Sequence, residues 1–453
     1  MNINNLQVQL QTAVENAATE ASTDNTSATL YYLQLAKAIQ TLNMGQIRTV
    51  ANTASLPSAS TNEGWLYFID NLERLYFSNG TSWSQITPDP VYNNVVYAWG
   101  RNTWGNLGDN TTTSKSSPVS VVGGFTDWCH VSAGFTTSSG IRQNGTLWSW
   151  GLGQRLGDNS VVDKSSPVSV VGGFTDWCQV SAGLTASLAV RQNGTAWAWG
   201  DNNLGQLGDN TITSRSSPVS VVGGFTDWCQ VASSMANISG HGVRQNGTLW
   251  SWGYNATGKL GDNTTVSKSS PVSVVGGFTD WCQVSSGYFT AAVRQNGTLW
   301  SWGDNSCGRL GDNTTVNKSS PVSVVGGFTD WCQISASTHG LGLRTNGSAW
   351  AWGCNNCGQI GDNTTVSKSS PVSVVGGFTD WCQVSAGYRF GTAIRTNGTI
   401  WSWGDNSSGR LGDNTTVNKS SPVSVVGGFT DWYRIGYPQV IFTPIAIRST
   451  RVS

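Results

Sequence analysis

Alternating apolar and polar positions define a unit of about 50 residues that recurs along most of the chain. In one copy, residues 281–303 read WCQVSSGYFTAAVRQNGTLWSWG, two short alternating runs joined by Asn296-Gly297. An Asn-Gly pair between such runs is a strong hairpin signal and predicts a type I′ turn. The SSPVSVVGG segment supplies a further strand, with Pro271 and its equivalents at the strand's first position. Each unit is therefore predicted to hold about four strands.

Three sequence markers agree that there are seven units. Phe-Thr-Asp-Trp occurs seven times, and a Trp-Gly pair and a Gly-Asp-Asn triplet each recur at one fixed position in seven successive units. The tryptophans of those pairs are Trp99, Trp150, Trp199, Trp252, Trp302, Trp352 and Trp403. Four-stranded sheets repeated around an axis make a β-propeller, in which only short, protected strand edges remain. The chain is predicted to be all-β, with a seven-bladed β-propeller over residues 91–453.

The two ends of the repeat region each hold part of a hairpin. Val95 to Gly100 reads as the second strand of a hairpin that has no first strand. Ile445 to Arg448 reads as a strand without a partner. We therefore predict that the seventh blade is shared, and that the propeller is closed by pairing of its N- and C-terminal strands.

Charge and composition exclude several classes of partner. Lys+Arg and Asp+Glu both number 25, and charged residues make up only 11% of the chain. A nucleic-acid-binding protein normally carries a basic stripe, which is missing here. No run of 18 apolar residues occurs, so no membrane insertion is expected. Six cysteines occupy equivalent repeat positions too far apart to bridge, and we interpret them as small buried apolar residues.

Catalytic chemistry finds little support in the sequence. The three histidines fall at unrelated repeat positions, and no Ser/His/Asp spacing, phosphate loop or recurring carboxylate pair is present. Cys354 and Cys357 form a CxxC without a second pair at zinc-site spacing, and whether they react is left open. Each Gly-Asp-Asn loop has one carboxylate, which favours turn chemistry over calcium binding. The protein is expected to be non-enzymatic, without metal or cofactor.

Binding specificity is expected where the copies disagree. The SSPVSVVGGFTDW block is almost invariant, whereas the tip after Trp-Gly and the segment before Arg-x-Asn-Gly vary. Variable loops on a rigid scaffold commonly carry binding function, although neutral drift at exposed tips would look the same. The paired tryptophans are assigned to the core rather than to a sugar-stacking ladder. The ligand-binding candidates are Arg101, Trp104, Arg155, Met235, His241, Tyr254, Lys259, Tyr288, His339, Tyr388 and Arg389.

The first 90 residues are organised differently. Residues 1–45 are predicted to form two short helices, and residues 46–90 a small β module with an Asn79-Gly80 turn and a proline-containing linker. Helices this short need a partner surface for their apolar stripe. The docking candidates on that stripe are Leu6, Leu10, Val14, Leu30, Leu35 and Ile39.

The repeat resembles that of the regulator of chromosome condensation family. The resemblance covers about residues 95 to 450, and its signature in one copy is Asn296-Gly297 followed by Trp302, Gly303, Asn305, Gly308, Leu310 and Gly311. It implies a seven-bladed propeller and protein binding. Members include a nucleotide-exchange factor for a small GTPase, parts of ubiquitin ligases and a secreted β-lactamase inhibitor. The family's His-Thr or His-Ser after the SAG-like segment is replaced by Phe135, Leu184, Tyr288 or Tyr388.

A second resemblance concerns about 35 residues before the propeller. Leu56-Pro57, residues 63–67, Leu75-Tyr76 and residues 79–83 are similar to small modules of bacteriophage tail fibres and other virion proteins. This implies a virion structural protein, a tail fibre or capsid appendage, that docks on other virion proteins as a homo-oligomer. Its propeller would bind a host-surface glycan or protein. The alternatives are an intracellular propeller adaptor or small-GTPase regulator, and a passive capsid decoration protein.

Overall fold

The computed structural model describes residues 48–50, 56, 58, 66–69, 74–78, 83–85, 92–234, 238–436 and 443–452. The chain divides into two compact units, Met1–Tyr92 with Arg451–Ser453, and Asn93–Thr450. The two predicted N-terminal helices with their docking stripe, and the Asn79-Gly80 turn, lie outside the described residues. No helix in the described part of the chain is long and apolar enough to cross a membrane.

The first unit contains a four-stranded sheet. Its strands are β1 (Arg48–Val50), β2 (Leu66–Ile69), β3 (Arg74–Ser78) and β4 (Trp83–Gln85). β2, β3 and β4 pair antiparallel in chain order, while β1 pairs with β2 in parallel. β1 escapes sequence-based prediction because three residues are too few to show an alternation.

In its described residues, 93–234, 238–436 and 443–450, the second unit forms a seven-bladed β-propeller. Its strands are β5 (Tyr92–Gly100), β6 (Lys115–Ser120), β7 (Trp128–Ala133), β8 (Thr137–Arg142), β9 (Leu147–Gly151), β10 (Lys164–Ser169), β11 (Trp177–Ala182), β12 (Ala186–Arg191), β13 (Ala196–Gly200), β14 (Arg215–Ser220), β15 (Trp228–Ser233), β16 (Ser239–Arg244), β17 (Leu249–Gly253), β18 (Lys268–Ser273), β19 (Trp281–Ser286), β20 (Phe289–Arg294), β21 (Leu299–Gly303), β22 (Lys318–Ser323), β23 (Trp331–Ala336), β24 (His339–Arg344), β25 (Ala349–Gly353), β26 (Lys368–Ser373), β27 (Trp381–Gly387), β28 (Phe390–Arg395), β29 (Ile400–Gly404), β30 (Lys419–Ser424), β31 (Trp432–Ile435) and β32 (Ile445–Arg451). Blades 1 to 6 are the successive sheets β7–β10, β11–β14, β15–β18, β19–β22, β23–β26 and β27–β30. A short 3-10 turn, Gly153–Arg155, follows β9.

Blade 7 closes the ring as predicted, with the strand order β31-β32-β5-β6. β32 thus joins the C-terminal β31 to the N-terminal β5, and the Trp99 amide donates a 3.1 Å hydrogen bond to the Pro444 carbonyl. The Arg448 guanidinium holds both carboxylate oxygens of Asp431, at 2.8 and 2.9 Å. Ile445 and Ile447 are buried in the core at this junction. Backbone pairing of β32 with β31 and β5, rather than a covalent link, therefore closes the ring.

The Asn-Gly hairpins use a different turn from the predicted type I′. Of Asn296-Gly297 only Gly297 has a positive φ, of +73°. The Gly297 amide donates to the Arg294 carbonyl, and the Arg294 amide donates to the Thr298 carbonyl. This is a type I turn followed by a left-handed glycine. The Asn296 side chain accepts from the Thr298 amide at 3.1 Å, which explains asparagine at this position.

Proline sits inside the outer strand rather than at its first position. Pro271 is the fourth residue of β18, which corrects the sequence-based expectation. β18 has only β17 as a neighbour, and its register with β17 shifts between Ser251 and Gly253. An edge strand with an irregular register tolerates a residue that has no amide donor.

The six repeated cysteines are not buried, contrary to expectation. Cys129 is partly exposed and the other five are exposed. The reason is a β-bulge: the register between β19 and β20 shifts between Trp281 and Gln283, so Cys282 lies outside the regular alternation. Its thiol donates to the Val293 carbonyl at 3.4 Å.

The tryptophans of the Trp-Gly pairs lock neighbouring blades together. Trp302 is fully buried, and its indole N–H donates at 2.9 Å to the carbonyl of Lys259 in the preceding blade. The same bond recurs in every blade of the described propeller, with Trp99, Trp150, Trp199, Trp252, Trp352 and Trp403 as the other donors. Each indole removes some 150–250 Å² from water. The assignment of these tryptophans to the core is confirmed.

Candidate ligand-binding site

The two variable stretches of every repeat lie at the same end of the propeller. In blade 3, β15 and β16 are antiparallel, as are β16 and β17, so the loop after β15 and the loop after β17 emerge side by side. The Tyr254 amide of the second loop donates to the Ile238 carbonyl of the first at 3.0 Å. We call this end the variable-loop face. The Asn-Gly turns lie at the opposite end.

Arg101 and Trp104 form an aromatic–cation stack at this face. The Arg101 guanidinium carbon lies 4.7 Å from the centroid of the Trp104 ring, and that ring packs at 5.9 Å on Phe135 of the next blade. Both candidates are partly exposed, as is Tyr254. Met235 lies outside the described residues.

Arg155 is held between blades. Its guanidinium pairs with Asp201 at 3.0 Å and donates to the Thr136 hydroxyl and to the Leu184 carbonyl. These bonds reach from blade 1 to the loops of blade 2. Arg155 therefore fixes the relative position of two loops.

His241 and Lys259 are completely buried beneath the face. The Lys259 ammonium donates to the Ser234 hydroxyl and the Gly287 carbonyl. The His241 Nε2 atom lies 3.0 Å from the hydroxyls of Ser239 and Ser286. Burial lowers the pKa of both groups well below their ordinary values. These two candidates support the loops of blades 3 and 4 from below.

His339 is also fully buried, where the equivalent residues of blades 4 and 6 are Phe289 and Phe390. Its Nε2 atom has no hydrogen-bond partner among the described residues. Burial lowers the pKa of His339 to about 3. The imidazole is therefore neutral at physiological pH and takes the place of an apolar ring.

The buried histidines predict that acid destabilises the propeller. An unfolded histidine binds a proton below its ordinary pKa near 6.5, whereas folded His339 stays neutral down to about 3. Stability is thus complete above pH 6.5 and is lost as pH falls, by up to about 1.4 kcal/mol per pH unit for each histidine. Between pH 7.5 and 5.5, His339→Phe should reduce the loss of unfolding free energy by about 1.4 kcal/mol, as measured by urea denaturation. An unchanged pH dependence would contradict this assignment.

Tyr288, Tyr388 and Arg389 come together around one cavity of about 370 Å³. Sequence-based prediction missed the rest of its wall: Arg309, the amide side chains of Asn356 and Gln359, Thr338, Ser367 and the Cys307–Cys354 disulfide. The walls come from blades 4, 5 and 6. Pockets that take small molecules commonly enclose roughly 300–1,000 Å³.

A small residue in blade 5 opens this cavity. The loop after β19 carries Tyr288 and the loop after β27 carries Tyr388, but the corresponding residue between them is Thr338. The loop of blade 6 is one residue longer than those of blades 4 and 5, and Arg389 occupies the added position with φ +63°. Such a backbone conformation costs a non-glycine residue about 1–3 kcal/mol. The loop thus stores strain where it presents an arginine.

The two arginines that line the cavity, Arg309 and Arg389, and the neighbouring Arg410 differ in their partners. Arg309 pairs with Asp304, and Arg410 pairs with Asp405 at 2.9 Å. Arg389 has no carboxylate partner among the described residues; its guanidinium carbon lies 5.0 Å from the Tyr388 ring centroid. Arg309 stacks similarly on Tyr288, at 4.6 Å. Burial raises the pKa of Tyr288, and its neighbour Tyr388 adds to that shift.

The disulfide joins cysteines at different repeat positions. Cys307 of blade 4 pairs with Cys354 of blade 5 across a Cα–Cα distance of 5.0 Å, so Cys354 does not pair with Cys357 of its CxxC. Their separation of 47 residues is shorter than the interval of 50 between Trp302 and Trp352, which is why a search for equivalent positions overlooks them. The arrangement ties the tips of two blades together at the cavity wall. No group of three metal-ligating side chains is found among the described residues.

Comparison with known proteins places the repeats in a family. The family model described as "Regulator of chromosome condensation (RCC1) repeat" matches residues 93–139, 193–234, 246–293, 296–340, 346–394 and 397–431, together more than half of the chain. A second model with the same description matches residues 177–206, 281–309 and 381–410.

Solved structures show the same fold at low sequence identity. Human WBSCR16 superposes with a TM-score of 0.70 at 18% identity, over 79% of this chain and 100% of that one. Prp20p from Saccharomyces cerevisiae gives a TM-score of 0.71 at 18% identity, over 80% and 93%. Yeast RCC1 (Prp20) bound to Kap60 gives 0.69 at 17%, over 80% and 90%. With its propeller, its repeats and these matches, the chain belongs to the regulator of chromosome condensation (RCC1) repeat family.

Proposed function

We propose that this chain is a non-catalytic binding protein of adaptor or regulator type that holds a partner at its variable-loop face. The single observation that carries the proposal is the concentration of sequence differences there. Seven blades share a nearly invariant outer strand and opposite end, yet at this face they differ in loop length, charge and aromatic content. A rigid scaffold with variable loops at one end is a common design for recognition.

The likeness to Prp20p supports this class of function. That protein is described together with its binding to Gsp1p and histones, and it shares the fold of this chain. Fold alone does not transfer a partner. Gsp1p and histones are therefore the first probes to use, and GDP release from Gsp1p separates a regulator from an adaptor.

The test compares the two ends of the propeller. The face variant carries Arg101→Ala, Tyr254→Ala and Tyr388→Ala, while the control variant carries Gln192→Ala, Gln245→Ala and Gln295→Ala in exposed turns at the opposite end. The wild type and both variants, each full-length and tagged, are first used to capture partners from an extract of the producing cells. The affinity of each chain for the purified partner is then measured. The face variant should bind at least about tenfold more weakly, and the control should match the wild type. The proposal is contradicted if the wild type retains no protein beyond those retained by the tag alone. It is also contradicted if the wild type, the face variant and the control variant retain the partner equally.

A virion protein that binds a host surface is the second candidate. The observation that favours it is the small sheet β1–β4, whose strands carry Tyr67, Tyr76 and Trp83 of the segment that resembles tail-fibre modules. The family matches begin only at residue 93. In this form the chain would be a homo-oligomer on the particle, and the same face would bind a host glycan or protein. Purified particles that lack the chain would exclude this candidate and capsid decoration together.

A further inference from the structure

We propose that the cavity between blades 4, 5 and 6 is a binding site for an acidic sugar, a monosaccharide or glycan terminus that carries a carboxylate. This inference rests on the proposed binding function and names the ligand class for one part of the variable-loop face. It stands on three observations: an arginine without a carboxylate partner, two tyrosine walls, and a set of amide and hydroxyl groups around the same space.

Arg389 supplies the recognition of negative charge. Arg309 and Arg410 are already paired with Asp304 and Asp405, so their charges are largely balanced within the protein. Arg389 is only partly buried and lines the cavity without such a partner among the described residues. A guanidinium matches a carboxylate in shape and can donate two parallel hydrogen bonds to it.

The remaining walls favour a sugar over a simple anion. Tyr288 and Tyr388 present aromatic surface with a polar hydroxyl, which suits a ring that has apolar C–H faces and a hydroxylated rim. Asn356, Gln359 and Ser367 add amide and hydroxyl groups that can both donate and accept hydrogen bonds. The cavity volume of about 370 Å³ exceeds what an inorganic anion needs and suits one sugar ring.

Comparison with blade 1 shows how a larger residue fills the equivalent space. Where Thr338 leaves space beside Tyr288 and Tyr388, blade 1 has Phe135, which packs on Trp104. Arg101 forms a similar aromatic stack there, at 4.7 Å from the Trp104 ring centroid. Of these two arginines, only Arg389 lines the cavity.

The test is titration calorimetry on the full chain with D-glucuronate and N-acetylneuraminate. D-glucose, inorganic phosphate and a hexa-aspartate peptide serve as neutral, simple-anion and acidic-peptide probes. We expect saturable binding of at least one acidic sugar with Kd below about 10 mM, and weaker binding of all three other probes. Arg389→Gln should weaken that binding at least tenfold, and Arg215→Gln, on the exposed outer strand β14 of blade 2, should leave it unchanged.

A second variant tests the cavity without altering any charge. Thr338→Tyr introduces the residue that blade 4 has at the equivalent loop position, so the fold should accept it, and the added ring should abolish sugar binding. The inference is overturned if the wild type binds neither acidic sugar, or if it binds phosphate or the peptide more tightly than the sugar. It is also overturned if Arg389→Gln or a folded Thr338→Tyr binds the sugar as tightly as the wild type does. These outcomes leave the proposed function standing, since partner retention by the control and face variants decides that separately.

Discussion

Removal of residues 445–453 is expected to abolish cooperative folding of the propeller. The truncation takes away β32, the strand that joins β31 to β5, and with it the buried side chains of Ile445 and Ile447. Loss of each buried isoleucine costs about 2–5 kcal/mol, before the loss of two backbone ladders is counted. The total is comparable to the 5–15 kcal/mol that typically stabilises a folded domain. Thermal unfolding followed by tryptophan fluorescence should show a broad, early transition or none.

A chain that ends at Arg451 is the matched control. It lacks only residues 452 and 453, and Val452 is exposed, so its free energy of unfolding should stay within about 0.5 kcal/mol of the wild type. A synthetic peptide of residues 443–453, added in excess to the truncated chain, should restore a cooperative transition by completing blade 7. A truncated chain that melts like the wild type would show that closure contributes little.

Trp302→Ala is expected to cost about 3–5 kcal/mol of unfolding free energy. Trp302 is fully buried, and its indole bonds to the Lys259 carbonyl in the preceding blade. The substitution leaves a cavity between two sheets, and the Lys259 carbonyl keeps only the Thr290 hydroxyl as a donor. Trp302→Phe should cost less, about 1–3 kcal/mol, because it removes the donor but keeps most of the packing. Guanidinium denaturation with a shared m-value measures both changes.

Trp300 is the control for Trp302 because it lies two residues earlier on the same strand. It packs on Phe278 at 5.0 Å, but it is only partly buried, and its indole hydrogen bond goes to the hydroxyl of Thr298 in its own blade. Trp300→Ala should therefore be clearly less destabilising than Trp302→Ala. Equal losses would mean that the full burial of Trp302 and its hydrogen bond to the preceding blade contribute no more than the partial burial of Trp300.

The blade count, the strand number and the closure of the ring could be predicted because they follow from repetition and from unpaired half-hairpins. The turn type could not be, since Asn-Gly satisfies both a type I′ turn and a type I turn followed by a left-handed glycine. The exposure of Cys282 and its equivalents depends on a bulge, which has no sequence pattern of its own. The expected burial rested on the small apolar character of cysteine, which does not show where a bulge places the side chain.

The variable loops were identified from sequence differences, but neither their common end of the propeller nor the role of single residues was predicted. Lys259 and His241 have charged or polar side chains in variable segments, yet hydroxyls and carbonyls from two blades surround them. In blade 5 the informative difference was Thr338, whose small side chain creates space, rather than His339 beside it. Sequence patterns indicate where residues differ, whereas a cavity depends on whether a small side chain lies between larger neighbours in space.

The shared seventh blade also sets the order of events during synthesis. β5 leaves the ribosome about 345 residues before β32, which corresponds to roughly 20–70 s of translation. Throughout that interval the edge of β5 that will receive β32 has no partner, while six other sheets are completed from consecutive strands. A β32 from a neighbouring nascent chain has the same pairing groups. Domain-swapped dimers at high expression are thus the failure expected of this ring.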